Sequence, residues 1–223
     1  MITTISFIKY TQNKYWAFTQ MSLAFPILKS TPGVVFFKLL GTGAGAGFSL
    51  FPDFSTYSIL CVWEKELDAL NFFNKSDYSK SISQKAFSRK DFFLNTIKSH
   101  GEWGGESPFI SSKKRISKDS RIGIITRASI NKSRLLEFWK SVPKASRAIK
   151  NANGVMWFKG IGEWPLIQQA TFSVWDSIES VKSFAYGNGP HSEIVQKTKH
   201  RNWYNEDLFA RFEIIRSEQI FFK

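Results

Sequence analysis

The chain has 223 residues, 43% of them hydrophobic and 22% charged, which argues for a globular protein of one large domain or two small ones with a substantial core. The net charge of +13 would attract nucleic acid, anionic lipid or an acidic cofactor, yet no zinc-finger spacing or RNA-binding signature accompanies it, so no specific nucleic-acid partner is expected. A single cysteine, Cys61, lies in an apolar run and excludes a disulfide framework or a thiolate metal cluster.

The aromatic content is the anomaly: 22 Phe, 8 Trp and 6 Tyr exceed what a core of this size needs, and suit a cavity for a large flat or polyene-like ligand. No segment approaches the run of about 18 apolar residues that a membrane helix requires, and the N-terminus does not read as a cleaved leader. The expectation is a cytoplasmic protein whose contact with a membrane is at most peripheral.

In chain order, residues 2–8 read as a strand and residues 15–29 as a helix with apolar residues at helical spacing. Pro32-Gly33 breaks the pattern before a strand over residues 34–40. Gly41 to Gly47 forms a glycine-rich loop, residues 57–63 a third strand, residues 66–74 a helix, and a further helical stretch runs to about Arg89. Phe92 to Ser99 closes this half as a strand, and His100 is read as a loop residue. Residues 111–120 are Ser-rich and basic, with Lys113-Lys114-Arg115, Lys118 and Arg121 clustered, and read as a solvated connector.

The second half repeats the plan: a strand over 121–127, a helix over 133–150, and strands over 154–159 and 170–175. Gly33 and Gly154 begin similar strands 121 residues apart, while Trp63 and Trp175, like Phe72 and Phe184, are 112 apart. The shared order predicts an α+β fold of tandem duplicated ferredoxin-like units, spanning 1–110 and 121–223. Two such sheets set face to face would enclose a hydrophobic space, the expected cofactor pocket.

Phe184-Ala-Tyr-Gly-Asn-Gly-Pro-His191 reads as a loop delivering an imidazole into a helix. Pro190 suits a first helical turn, and Ile194 and Val195 share the face of His191, which therefore points inward. An inward histidine is more often a hydrogen-bonded core residue; at a cavity wall it can bind a metal or a cofactor iron. His200 lies about half a turn around the axis and cannot share one metal with His191 from a regular helix. The glycine-rich loop is followed by a strand, where a dinucleotide fingerprint needs a helix, so it does not read as a nucleotide site. No Ser-His-Asp set, His-Glu-x-x-His motif or carboxylate pair stands out, which leaves cofactor-borne chemistry as the simplest route to an enzyme.

Gly41-x-Gly43 with Gly47-Phe48, Cys61-Val-Trp63, Gly101-Glu-Trp103-Gly-Gly105 with Pro108-Phe109, Phe172-Ser-Val-Trp175, Phe184-Ala-Tyr186 with Pro190-His191, and the run from Trp203 to Phe212 keep their order along nearly the whole chain. Together they resemble the spheroidene monooxygenase family of haem-binding carotenoid oxygenases. The resemblance implies a dimeric α/β-barrel type of fold within one chain, holding haem b with His191 as iron ligand. It implies Arg211 as a catalytic or propionate-binding residue, with an edge salt bridge as the alternative, and Arg127 and Lys159 as further propionate partners. Trp157, Phe172, Trp175 and Phe184 would wall the cavity, or else belong to ordinary core.

The implied activity is a monooxygenase inserting oxygen into an apolar substrate, supplied with electrons by a donor such as a ferredoxin. The alternatives are a haem-dependent dehydratase or N–O bond enzyme of the aldoxime dehydratase kind, a haem carrier without catalysis, and a basic interaction module. A homodimer is compatible with all of them.

Overall fold

Seven of the eight residues of Ile2–Lys9 (β1) are buried, as expected of a strand covered on both faces. In the computed structural model one face of β1 looks into a closed barrel and the other lies under helices. The structure describes all residues except 46, 48, 50, 113–116, 118, 119, 165, 188–197, 199, 200 and 223.

After β1 come Lys14–Lys29 (α1), Val34–Gly43 (β2), Pro52–Trp63 (β3), Glu66–Lys75 (α2), Asp77–Lys85 (α3) and Ser88–Gly101 (β4). The second half holds Ile122–Ile130 (β5), Leu135–Lys150 (α4, entered through a 3-10 turn), Val155–Gly162 (β6), Gln168–Trp175 (β7), Ile178–Tyr186 (α5) and Tyr204–Phe221 (β8). Side-chain caps fix two helix starts: the Ser76 hydroxyl accepts the N–H of Ser79 at α3, and Ser177 accepts that of Ser180 at α5.

The strands extend beyond their predicted limits because the barrel pairs them. His100 is no loop residue: it lies in β4 opposite Phe209, with their rings 5.2 Å apart. Gly41 to Gly43 are the end of β2, Phe184 to Tyr186 are helical, and the helical stretch expected to reach Arg89 stops at Lys85.

All eight strands run antiparallel, in the cyclic order β1-β3-β2-β6-β7-β5-β8-β4. Within the first half the order is β4-β1-β3-β2, and within the second β8-β5-β7-β6. Registers match as well: Trp63 faces Ile2 and Val34, Trp175 faces Ile122 and Val155, and an irregularity follows both valines. Gly33 and Gly154 take φ of 77° and 80° just before β2 and β6. A Cβ at Gly33 would strike Asp68, and one at Gly154 would strike Ser180 and Asp176, so both positions require glycine on two counts.

The two seams between the halves are unequal. β4 and β8 share thirteen residue pairs, whereas β2 and β6 share two, Gly41 with Gly162 and Thr42 with Ile161. Side chains extend the short seam on either side of that ladder. Lys38 pairs with Glu163 at 2.9 Å, and the Lys159 ammonium donates to the Gly45 carbonyl at 2.6 Å with Asp53 at 3.6 Å. Burial pulls the Lys159 pKa below its ordinary value, and the Asp53 carboxylate acts against that shift.

Every strand contributes to the apolar interior. At its centre the rings of Phe7, Phe92, Trp157 and Phe172, from four strands, all lie within 4.7 to 6.4 Å of one another. The hydrophobic space expected between the two sheets is therefore filled by these rings. Outside the barrel, α1, α2 and α3 bury the outer face of the first half with Leu28, Trp63, Phe72 and Ile82 among the core, and Cys61 is 1% exposed there, its thiol pKa pushed up by burial.

Phe172→Ala should lower stability by about 3–5 kcal/mol in urea unfolding, since it opens a cavity among three other rings. Lys159→Met should cost on the order of 1–2 kcal/mol and speed amide exchange along residues 155–160, where β6 has lost the charged donor that ties it to Gly45.

Candidate functional site

One mouth of the barrel is closed by the loop that follows β4. Trp103 and Phe109 enter it, 1% and 4% exposed, and meet Phe36 and Phe212 at ring distances of 6.1 and 5.1 Å. Polar groups hold the loop: the Trp103 indole N–H donates to Glu163 at 2.7 Å, and both oxygens of Glu206 accept N–H groups, from Gly104 and Gly105, at 2.9 Å each. Arg127 sits behind them, in contact with Glu206, 3.9 Å from Glu163 and over the Trp103 ring. Burial draws its pKa below the ordinary value and Glu163 counteracts this; an arginine so paired remains a cation. Its surroundings make Arg127 the anchor of a plug.

The outer face of the second half is built differently from that of the first. Strands β5, β7 and β8 direct Thr126, Thr171, Phe209 and Arg211 outward: Thr126 lies opposite Thr171 on one side and Phe209 on the other, and Ile124 lies opposite Arg211. The equivalent position in the first half is Ser6, opposite Ile59 and Asp91. Ser6 is 2% exposed and donates to Asp91 at 2.6 Å, where Arg89 also pairs with Asp91 and reaches Ser79 of α3. Thr126, in the middle of a central strand, is exposed, and its hydroxyl meets that of Thr171 at 2.7 Å.

Among the described residues, the apolar contacts of the helices gather at the two ends of this face. At one end α5 packs Val181 and Phe184 on Trp175, with Ile122 and Ile124 beneath; the Trp175 and Phe184 rings are 5.1 Å apart. At the other end Phe138 and Val142 of α4 pack on Ile130 and Trp203. Between them the floor carries the two threonine hydroxyls, the Phe209 ring with His100 stacked on it, and Arg211. The Arg211 Nε is buried with no hydrogen-bond partner among the described residues, and no ion pair to Arg211 occurs among them. A guanidinium N–H so placed can donate to an anion.

The structure thus separates the residues that the sequence grouped. Trp157 and Phe172 meet in the barrel core; Trp175, Phe184 and Arg211 share the outer face of the second half. Arg127 belongs to the plug and Lys159 to the short seam. His191 and His200 lie outside the described residues, as does most of the basic cluster at 113–118. Thr126 and Thr171 were missed, although aligning the two halves strand by strand would have set Thr126 against Ser6 and marked both as polar positions on the helix-facing side. A separate pocket of about 560 Å³ runs along the unpaired part of β6, lined by Phe7, Gly45, Thr56, Trp157 and Lys159 among others.

No protein-family profile matches the sequence. Among curated proteins, the chain is 30% identical over 220 residues to the spheroidene monooxygenase of Rhodobacter capsulatus, spanning 97% of this chain and 91% of that protein. It is 31% identical over 215 residues to the spheroidene monooxygenase of Cereibacter sphaeroides, spanning 95% of this chain and 66% of that one. Among solved structures, an aldoxime dehydratase in complex with butyraldoxime superposes with a TM-score of 0.63 at 8% identity, over 98% of this chain and 82% of its own, a likeness of fold. A second aldoxime dehydratase structure gives 0.62 at 9% identity, over 96% and 81%. On the two curated relatives, each matched over nearly the whole of this sequence, the chain belongs to the spheroidene monooxygenase family, a family of oxidoreductases.

Proposed function

We propose that this chain is a haem-dependent monooxygenase acting on an apolar substrate, with haem b seated on the outer face of the second half and its iron held by His191. Family membership supports the reaction class. The observation that carries the placement is the open sheet floor at Thr126, beside the unsatisfied Nε of Arg211. The filled barrel centre argues against a macrocycle between the sheets. His191 follows the end of α5 at Tyr186 by five residues, a reach of at most about 18 Å, so the chain can deliver its imidazole to this face.

We also read the two halves as tandem copies of one ferredoxin-like unit, a reading supported by their identical internal strand orders and matching registers. On that reading, one copy kept its outer face packed and the other opened its own.

When bound, the haem would supply reductive activation of dioxygen for insertion at a C–H bond, with electrons from a separate donor such as a ferredoxin. The protein's own part is positional. Arg211 offers its guanidinium N–H groups to a propionate carboxylate, a charge-assisted contact that would satisfy the buried Nε. Thr126 and Thr171 provide hydroxyls on the floor, while Phe209, Trp175 and Phe184 give flat apolar surfaces that orient a planar group and exclude water.

Spectra of the ferric and ferrous protein test the reading. Wild type reconstituted with haem should show a Soret band that His191→Ala abolishes and that His100→Ala and His200→Ala retain. A chain that stays colourless with haem, or a Soret band untouched in His191→Ala, overturns it. Turnover of an aldoxime without oxygen consumption would instead identify a dehydratase.

Thr126→Trp should weaken haem binding at least about tenfold by occupying the floor, while leaving urea stability within about 0.5 kcal/mol, because the position is exposed.

A further inference from the structure

α1 is apolar nearly all round, yet only Ala17, Ala24 and Leu28 are buried in it. Its outward side presents Tyr15, Phe18, Leu23, Phe25 and Ile27, at 81, 54, 61, 54 and 40% exposure, and Phe54 of β3 continues the patch from Phe18 at a ring distance of 6.3 Å. A water-facing helix surface of this composition is costly unless something covers it. Charge indicates what does. Lys14 and Lys29 stand at the two ends of the helix, and the first carboxylate of the chain is Asp53: the 52 residues before it carry four lysines and no acidic residue. Asp53 is itself engaged by Ser55 and Lys159.

We infer that α1 and the neighbouring edge of β3 dock the protein on an anionic lipid bilayer, with the helix lying in the interface. Exposed aromatic and leucine side chains suit burial at the headgroup boundary, and lysine stems at the helix ends can cover apolar surface while their ammonium groups reach phosphates. Anionic headgroups match the lysines at the two ends of α1, and the net charge of +13 draws the whole chain toward them. A second copy fits less well, since Asp53 and Glu163 beside the patch are already engaged by Lys159 and Lys38 and pairing two such faces would set Lys14 and Lys29 of each copy against like charge. Among the described residues no helix is long and apolar enough to cross a membrane, so α1 would lie on the bilayer. A pocket of about 230 Å³ opens beside the patch, lined by Phe18, Met21, Phe54, Tyr57, Ile161 and Leu166 among others. The docking itself does not depend on the haem reading.

Sedimentation of the full chain with vesicles of phosphatidylcholine, with and without phosphatidylglycerol, tests the inference. Wild type should bind the anionic vesicles, and the combined Phe18→Gln, Leu23→Gln and Phe25→Gln variant should lose at least about tenfold in partitioning. Lys14→Gln with Lys29→Gln should reduce the preference for phosphatidylglycerol, while Leu136→Gln, an exposed leucine on α4, should change neither. Because three substitutions could disturb folding, quenching by brominated lipid is read on the chain without them: a quenched component that disappears in Trp16→Phe supports docking through α1. A wild type that stays in the supernatant, or a triple variant that sediments as wild type does, overturns the inference. So does a dimer in light scattering that the triple variant dissociates without any vesicle binding, which would make the face a contact between copies.

Discussion

An antiparallel sheet with open edges leaves two rows of backbone groups unpaired, and the closure of eight strands into a ring removes them. That closure sets the terms for the rest of this protein. It requires two seams between the halves; one is a long ladder from β4 to β8, and the other is two residue pairs extended by Lys38 with Glu163 and by Lys159 with Gly45. A long backbone ladder makes most of the first seam. The second depends on lysine side chains reaching carbonyl and carboxylate oxygens, so specific residue identities carry there what geometry carries elsewhere.

Closure also determines where chemistry can occur. A ring of this size brings the inward side chains of all its strands together, and here Phe7, Phe92, Trp157 and Phe172 fill the centre while Trp103 and Phe109 stop one mouth. Among the described residues, the space left lies beside this packed centre, along β6, and on the outer layer. In the first half that layer is tightly made, with even its polar residues, Ser6, Asp91, Arg89 and Ser79, satisfied by one another. In the second half, α4 and α5 anchor at opposite ends of the sheet, and the strip between them is left to Thr126, Thr171, Phe209 and Arg211. Among the described residues this strip is polar where the matching strip of the first half is packed under helices.

Much of this was legible in the sequence. The positions of Gly33 and Gly154, and of Trp63 and Trp175, mark places that the ladders treat alike, because a left-handed turn and a large residue opposite a strand start are needed at each. Cys61 reads as core because its neighbours are apolar on both faces, and it is core. His100 was misread because glycine follows it, a local sign of a turn; the partner strand β8 overrides that sign by continuing alongside as far as Gly101. The filled interior was also illegible: each aromatic ring is reasonable in its own strand, and only the closed ring shows that four of them occupy one place. Lys159 read as a ligand for an acid because its use by a glycine carbonyl far away in sequence leaves no local mark.

The long seam has a bearing on how the chain is made. β4 ends at Gly101 and the partner that covers its edge begins at Tyr204, so more than a hundred residues must be synthesised between them. Until β8 emerges from the ribosome, the first half has its helices in place on one side and bare phenylalanines on the other, together with an unpaired strand edge. Contacts so distant along the chain form slowly, and the nascent half is adhesive in the meantime. A chain of this topology is a natural client for a chaperone during translation, because the surface it leaves bare is the one its own last strand will cover.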